Sequence, residues 1–187
     1  MVIIEEYKQA INNLFHPGSI NKSMGIVDAL MYYWKATLIP FAITLVEIIA
    51  IGGIFAYLLS IAQLAIPYIG ILLSVGLPIF AIIWWLIIVP LSLLIDSFVL
   101  HVFGKYLFKW FKGEYADTFA GSVYAIASGL SFIWIPVIGL LIAIFGSFII
   151  ELIAIANLNK TTAVKVLLAV IIGGIILDLV FFVIAHL

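Results

Sequence analysis

Five apolar stretches, separated by short polar or broken segments, dominate the chain. Each has about the 20 residues that an α-helix needs to cross about 30 Å of hydrocarbon. The apolar runs are continuous, as in IIWWLIIVPLSLLI at 82–95, whereas strands of a membrane β-barrel alternate apolar and polar residues. The pattern predicts an all-α integral membrane protein, a five-transmembrane-helix bundle with spans at about 37–62, 78–102, 117–134, 138–158 and 163–185.

Residues 1–36 precede the first predicted span, and their pattern predicts two amphipathic helices. Between Ile3 and Phe15 the apolar residues recur at helical spacing, with charged and amide side chains opposite them. His16-Pro17-Gly18 breaks this helix, and a second helix is predicted to run to Trp34. We expect both helices on the cytoplasmic side, where they pack on the bundle, lie among lipid headgroups or form a docking surface for a partner.

Two further segments complete the predicted layout. Tyr32, Tyr33 and Trp34 are expected to mark the membrane interface, where amphipathic aromatic side chains belong. Residues 63–77 are apolar, but one proline and two glycines interrupt them. We interpret this segment as an uncharged outer loop with a half-buried turn, and residues 103–116 as a lysine-rich loop on the other side.

Composition supports a membrane protein and narrows its chemistry. The chain is 67% hydrophobic and 9% charged, whereas a soluble domain is about 45–50% apolar and about 25% charged. The net charge of −1 gives no overall field that would attract nucleic acid, so no nucleic-acid partner is expected. Because the chain has no cysteine, disulfides and thiolate chemistry are excluded.

The basic residues predict the orientation of the bundle. All eight are lysines, and five spans place every one of them on the same side of the membrane. By the positive-inside rule that side is cytoplasmic, so we expect a cytoplasmic-membrane protein with its N-terminus inside and its C-terminus outside. Lys8, Lys22 and Lys35 precede the first span, and the basic face of the inner loops comprises Lys105, Lys109, Lys112, Lys160 and Lys165.

Small residues at a spacing of four mark the third predicted span. Gly121, Ala125 and Gly129 fall on one face of a helix. Such a stripe lets two helix backbones approach closely in a membrane. We therefore expect the third span to be the tightly packed helix of the bundle, with its stripe facing either another helix of the same chain or a second copy.

Polar side chains inside the predicted spans are the candidate functional residues. A carboxylate in hydrocarbon costs about 2.5–3.5 kcal/mol on insertion scales, which makes it a functional candidate. One hypothesis is that Asp96, Glu151 and His101 meet in the cytoplasmic half, near Asn157, and pass protons or hold a cation. The alternatives are that these groups only hydrogen-bond neighbouring helices, or that they bind a lipid headgroup or another polar ligand. The candidate intramembrane polar site comprises Glu47, Asp96, His101, Glu151, Asn157 and Asp178.

No enzymatic motif is present. The three histidines lie far apart, and none has the spacing to a glutamate that a two-carboxylate metal site requires. The nucleophile elbow, phosphate loop and dinucleotide fingerprint are also absent. We expect a protein that is not an enzyme and that uses neither a cofactor nor a metal.

Four segments resemble the Yip family of Ypt/Rab-interacting membrane proteins. They are LFHPGSI at 14–20, His101 with Gly104 and Gly113, SVYAIASGLSFIWIPVIG at 122–139, and ELIAIANLNKTTAVKVLLAVI at 151–171. The resemblance implies a five-span, non-catalytic protein with a cytoplasmic N-terminus. Eukaryotic members bind lipidated Rab-type GTPases in vesicle trafficking, but this chain lacks their Asp-Leu-Tyr-Gly-Pro motif and their long N-terminal region, and looks like a prokaryotic-type member.

Two functions follow as hypotheses. The first is a Yip-like scaffold or adaptor in membrane organisation or trafficking, which contacts membrane lipid and binds a cytoplasmic protein partner or a second copy. The alternative is a small ion or proton transporter or channel that uses the intramembrane carboxylates.

Overall fold

The computed structural model describes residues 2–61, 69 and 72–185, and for residues 60, 61, 178, 180, 181 and 183–185 it describes the backbone alone. The described chain is all-helical. Three helices are long and apolar enough to cross a membrane, Ile26–Leu59, Leu72–Leu107 and Ile138–Leu158. The described residues form six longer helices and a short 3-10 helix at Pro17–Ser19. The six are α1 (Val2–Phe15), α2 (Ile26–Ile61), α3 (Leu72–Leu107), α4 (Tyr115–Leu130), α5 (Ile138–Leu158) and α6 (Ala163–Ala185).

The first long helix begins earlier than the sequence pattern predicts. No break separates a second amphipathic helix from the first span, because α2 runs unbroken from Ile26 to Ile61. Pro40 lies in its interior, where the missing N–H removes one backbone hydrogen bond. Tyr32 and Tyr33, which were expected to mark the membrane interface, are both buried against other helices of the bundle. The Tyr33 hydroxyl donates to the Trp85 carbonyl of α3 at 3.2 Å, which fixes α2 against α3.

Both ends of α3 extend beyond the predicted second span. Residues 72–77, predicted as part of the outer loop, are helical, while 62–68, 70 and 71 lie outside the described residues. At the other end α3 continues to Leu107, so the lysine-rich loop is 108–114. Wider π-helical turns at Trp84–Ile88 and Val102–Leu107 interrupt the regular helix. The first lies directly before Pro90, whose ring crowds the preceding turn.

The central helix is α4. Twelve of its 16 residues are buried, and α1, α2, α3 and α5 all pack against it. The helix starts at a capping box in which Glu114 and Asp117 each accept a hydrogen bond from the other's backbone N–H. It ends at Leu130, four residues before the predicted end of the third span, because residues 131–137 turn the chain back into α5.

The small-residue stripe of α4 faces α5 of the same chain. A β-carbon added at Gly121 would lie 2.7 Å from Cγ1 and 3.0 Å from the backbone nitrogen of Ile155. A β-carbon at Gly129 would collide with the Ser147 side chain. Ala125 lies between the two glycines and is fully buried. The two helices therefore pack as an antiparallel pair with backbones in close approach.

The bounds of α5 and α6 coincide with those predicted from the sequence, 138–158 and 163–185. Val166 and Ala169 of α6 are buried against the end of α5. Further along, Gly173 lies beside the Phe103 ring of α3. The first part of α6 is therefore held between α5 and the end of α3.

Replacing Gly121 with alanine tests the α4–α5 contact. The added methyl group would meet the Ile155 backbone, so we expect Gly121→Ala to lower the free energy of unfolding by about 1–3 kcal/mol. Gly53→Ala is the matched control, because nothing lies within 4 Å of a β-carbon there; we expect it to be neutral or to stabilise by up to about 1 kcal/mol. Thermal unfolding of both variants in detergent measures the difference. Equal melting temperatures would refute close packing at Gly121.

Candidate functional site

A buried polar cluster joins α3, α4 and the end of α5. The His101 Nδ1 atom is 2.8 Å from the Thr118 hydroxyl. The Asn159 side-chain amide donates to the same hydroxyl at 3.2 Å and to the Ile155 carbonyl at 3.1 Å. His101 is 4% exposed, while Thr118 and Asn159 are fully buried. The Thr118 hydroxyl therefore pairs with both neighbours and links three segments of the chain. A buried polar group without such a partner would destabilise the fold.

The lysine-rich loop is folded onto this cluster. The Gly104 carbonyl accepts the backbone N–H groups of Trp110 and Phe111 at 2.8 Å and 3.1 Å. The Phe111 ring fills the space that a β-carbon at Gly104 would occupy. The Lys105 ammonium donates to the Gly113 carbonyl at 2.9 Å, and the Lys112 N–H donates to the Asn159 carbonyl at 3.1 Å. Backbone and side-chain hydrogen bonds therefore hold the loop in place against the cluster.

The predicted carboxylate group is only partly assembled. The Ser122 hydroxyl donates to Glu151 Oε1 at 2.7 Å, which links α4 to α5. Among the described residues no hydrogen bond joins Asp96 of α3 to Glu151. Glu151 is half-buried and Asp96 is exposed. His101 bonds to Thr118 instead of to either carboxylate.

The other predicted site residues lie apart from this pair. The Asn157 side chain donates to the Ile20 carbonyl at 3.2 Å and so holds the segment between α1 and α2. Glu47 is half-buried in α2 and makes no hydrogen bond with any described residue. Asp178 lies on the α6 backbone, but its side chain is outside the described residues.

Sequence reasoning missed the residues that make most of the contacts. Thr118, Ser122 and Asn159 carry no charge. The candidate residues were chosen mainly because a charge is costly to bury in hydrocarbon, and that criterion does not apply to these three. Asn159 stands two positions from the predicted Asn157. At the C-terminal end of a helix, positions two apart face different directions. That spacing indicates that the two asparagines have different surroundings, but it does not identify Asn159 as the buried one.

The basic face surrounds the lysine-rich loop. Lys109, Lys112, Lys160 and Lys165 are exposed, and Lys105 is half-buried. An open cavity of about 500 Å³ lies between the loop, the connecting segment and the end of α5. Its lining comprises Asn21, Ser23, Lys112, Gly113, Glu114, Asp117, Asn157, Leu158 and Lys160.

A second polar cavity lies between α1 and the start of α2 and has a volume of about 340 Å³. Ser23 contributes to both cavities, so they adjoin one another. Neither is lined by Glu47, Asp96 or Glu151. The described residues contain no group of three or more histidine or carboxylate side chains that could hold a metal ion. Comparison with protein-family models, with curated proteins and with solved structures gave no match.

Replacing Thr118 with valine tests the buried cluster. This change keeps the shape but leaves both His101 and Asn159 without the hydroxyl that pairs with them. We expect a loss of about 1–3 kcal/mol in the free energy of unfolding. The matched control is Thr44→Val, because the Thr44 hydroxyl bonds only to the Pro40 carbonyl of its own helix. Thermal unfolding that shifts equally in the two variants would contradict a joining role for Thr118.

Proposed function

We propose that this protein is a non-catalytic scaffold or adaptor of Yip type in the cytoplasmic membrane. The observation that supports this most directly is that polar side chains inside the bundle form hydrogen bonds between its segments. Glu151 accepts from Ser122, and His101 and Asn159 share Thr118, so each of these side chains joins two segments of the bundle. Polar groups used in this way fix helix positions and do not need to move or react.

The surface around the lysine-rich loop is the proposed place for a partner. The loop is anchored at Gly104, Gly113 and Asn159, so its side chains are presented by a fixed backbone. A preformed surface loses less conformational entropy on binding than a mobile one. A cytoplasmic protein or a second copy of this chain would dock here, next to the open cavity that Lys112 and Lys160 line.

Five crossings with the N-terminus inside remain the proposed topology. The support is the position of the eight lysines, which five crossings place together on one side. The topology has one structural requirement. At 16 residues α4 rises about 24 Å, so the turn at 131–137 has to contribute to the third crossing of about 30 Å.

The second candidate function is a small ion or proton transporter, and one observation favours it. Glu47 has no hydrogen-bond partner among the described residues. An unpartnered intramembrane carboxylate is a common feature of proton and ion pathways.

Ion flux in proteoliposomes separates the two functions. We expect no H⁺, Na⁺ or K⁺ flux above that of protein-free vesicles under an imposed potential, because a scaffold has no conducting path. Wild type would be compared with Glu47→Gln, Asp96→Asn and Glu151→Gln, and with Glu5→Gln as a control on the exposed face of α1. Flux in wild type that disappears in a folded carboxylate variant, but not in Glu5→Gln, would overturn the scaffold proposal.

The stability of the same variants gives a second expectation. A glutamine at position 151 still presents an amide oxygen to the Ser122 hydroxyl, so we expect Glu151→Gln to change the free energy of unfolding by less than about 1 kcal/mol. Glu151→Leu removes the acceptor and should cost about 1–3 kcal/mol. Thermal unfolding of the two variants checks this. A glutamine variant as unstable as the leucine variant would show that the charge itself is needed.

A further inference from the structure

We propose that the cavity between α1 and the start of α2 binds the headgroup of phosphatidylethanolamine. This phospholipid carries a phosphate diester and a primary ammonium group. The cavity has a volume of about 340 Å³, within the range of about 300–1,000 Å³ that is usual for small-molecule sites. It lies against the middle of α4, because Tyr124 contributes to its lining. The proposal does not depend on the scaffold function.

Charges of both signs line this cavity without pairing. Glu6 and Asp28 are acidic, and Lys22 and Lys35 are basic. Among the described residues no ion pair or hydrogen bond joins these four side chains to one another. Opposite charges that face one cavity and stay apart are complementary to a ligand that carries both signs. The lysines suit the phosphate, and the carboxylates suit the ammonium group.

The start of α2 adds to the phosphate side. Ser23, Met24 and Gly25 line the cavity directly before the first residue of α2. The backbone N–H groups in the first turn of a helix have no partner within the helix and favour an anion. They supplement Lys22 and Lys35, which carry the main charge.

An apolar path leads from the cavity along α2, which favours a lipid over a water-soluble zwitterion. Met31 lines the cavity and is 42% exposed. Leu38 lies seven residues further on the same helix face and is 37% exposed. Beyond it Glu47 is the one charged residue in the rest of α2. Acyl chains would follow this face into the hydrocarbon while the headgroup stays in the polar cavity.

Helix α1 has an apolar edge and a polar side next to the cavity. Ile4 and Phe15 are exposed on one edge of α1, at 52% and 66%. Gln9 is exposed further round the helix and, with Glu6, lines the cavity. An amphipathic helix suits a boundary between polar and apolar surroundings. The apolar edge therefore suits acyl chains, and the polar side suits a headgroup.

Native mass spectrometry of the purified full-length protein in detergent tests the proposal. The probes are phosphatidylethanolamine, phosphatidylcholine and phosphatidylglycerol, each titrated separately. We expect phosphatidylethanolamine to bind best, because the quaternary ammonium of phosphatidylcholine cannot donate a hydrogen bond and phosphatidylglycerol has no cation. Lys22→Gln combined with Lys35→Gln should weaken its binding about ten-fold.

A second pair of substitutions tests the ammonium side. Glu6→Gln combined with Asp28→Asn should remove the preference for phosphatidylethanolamine over phosphatidylglycerol. The matched control is Glu5→Gln combined with Lys8→Gln, which changes charges of both signs on α1 outside the cavity and should leave both affinities unchanged. All of these residues are at least partly exposed, so the variants are expected to fold, and thermal unfolding checks that they do.

Three results would overturn the proposal. One is a loss of binding in the control pair that equals the loss in the lysine pair. Another is wild-type protein that binds phosphatidylglycerol as well as phosphatidylethanolamine. The third is free phosphoethanolamine that competes at the same concentration as the lipid, which would make the ligand a soluble zwitterion.

Discussion

The close approach of α4 and α5 is the contact on which the rest of the fold depends. Inside a bilayer the hydrophobic effect does not hold helices together, so association relies on van der Waals packing and interhelical hydrogen bonds. Gly121 and Gly129 allow that packing, because neither position has room for a β-carbon. The same approach brings Ser122 within 2.7 Å of Glu151 and Thr118 within 3.2 Å of Asn159. Larger residues at these two positions would push the helices apart and lengthen both hydrogen bonds.

The shape of the lysine-rich loop follows from that helix pair. Asn159 ends α5 beside Thr118, and its carbonyl accepts the Lys112 N–H. A β-carbon at Gly113 would meet both Asp117 and Asn159, so a larger residue there would push the loop off the pair. The proposed docking surface is therefore built from the same contacts that hold the bundle. A partner that docks there would couple its binding to the stability of this end of the molecule.

The local pattern of apolar residues predicted where the helices lie, whereas contacts between distant parts of the chain determine the surroundings of their side chains. Continuous apolar runs and the turn at 159–162 were enough to place α5 and α6, because both depend on sequence near the helix itself. Tyr32 and Tyr33 were assigned to the interface since amphipathic aromatics usually lie there. In the structure Trp85 of α3 and Tyr124 of α4 pack against them. Those neighbours are distant in sequence, and no local signal reveals them.

The position of α1 gives the bundle two different sides. Tyr7 donates to the Ser131 carbonyl at the end of α4, 3.1 Å away, so α1 crosses α4 at the end opposite the lysine-rich loop. Exposed charged residues on α1 would each cost about 2.5–3.5 kcal/mol in hydrocarbon. This side of α4 therefore suits water or headgroups. On the other side α3 exposes Leu91, Ile95 and Phe98, which suit lipid. The proposed five-crossing topology places Lys8 on the same side as the lysine-rich loop, so it requires α1 to reach along α4 from that side.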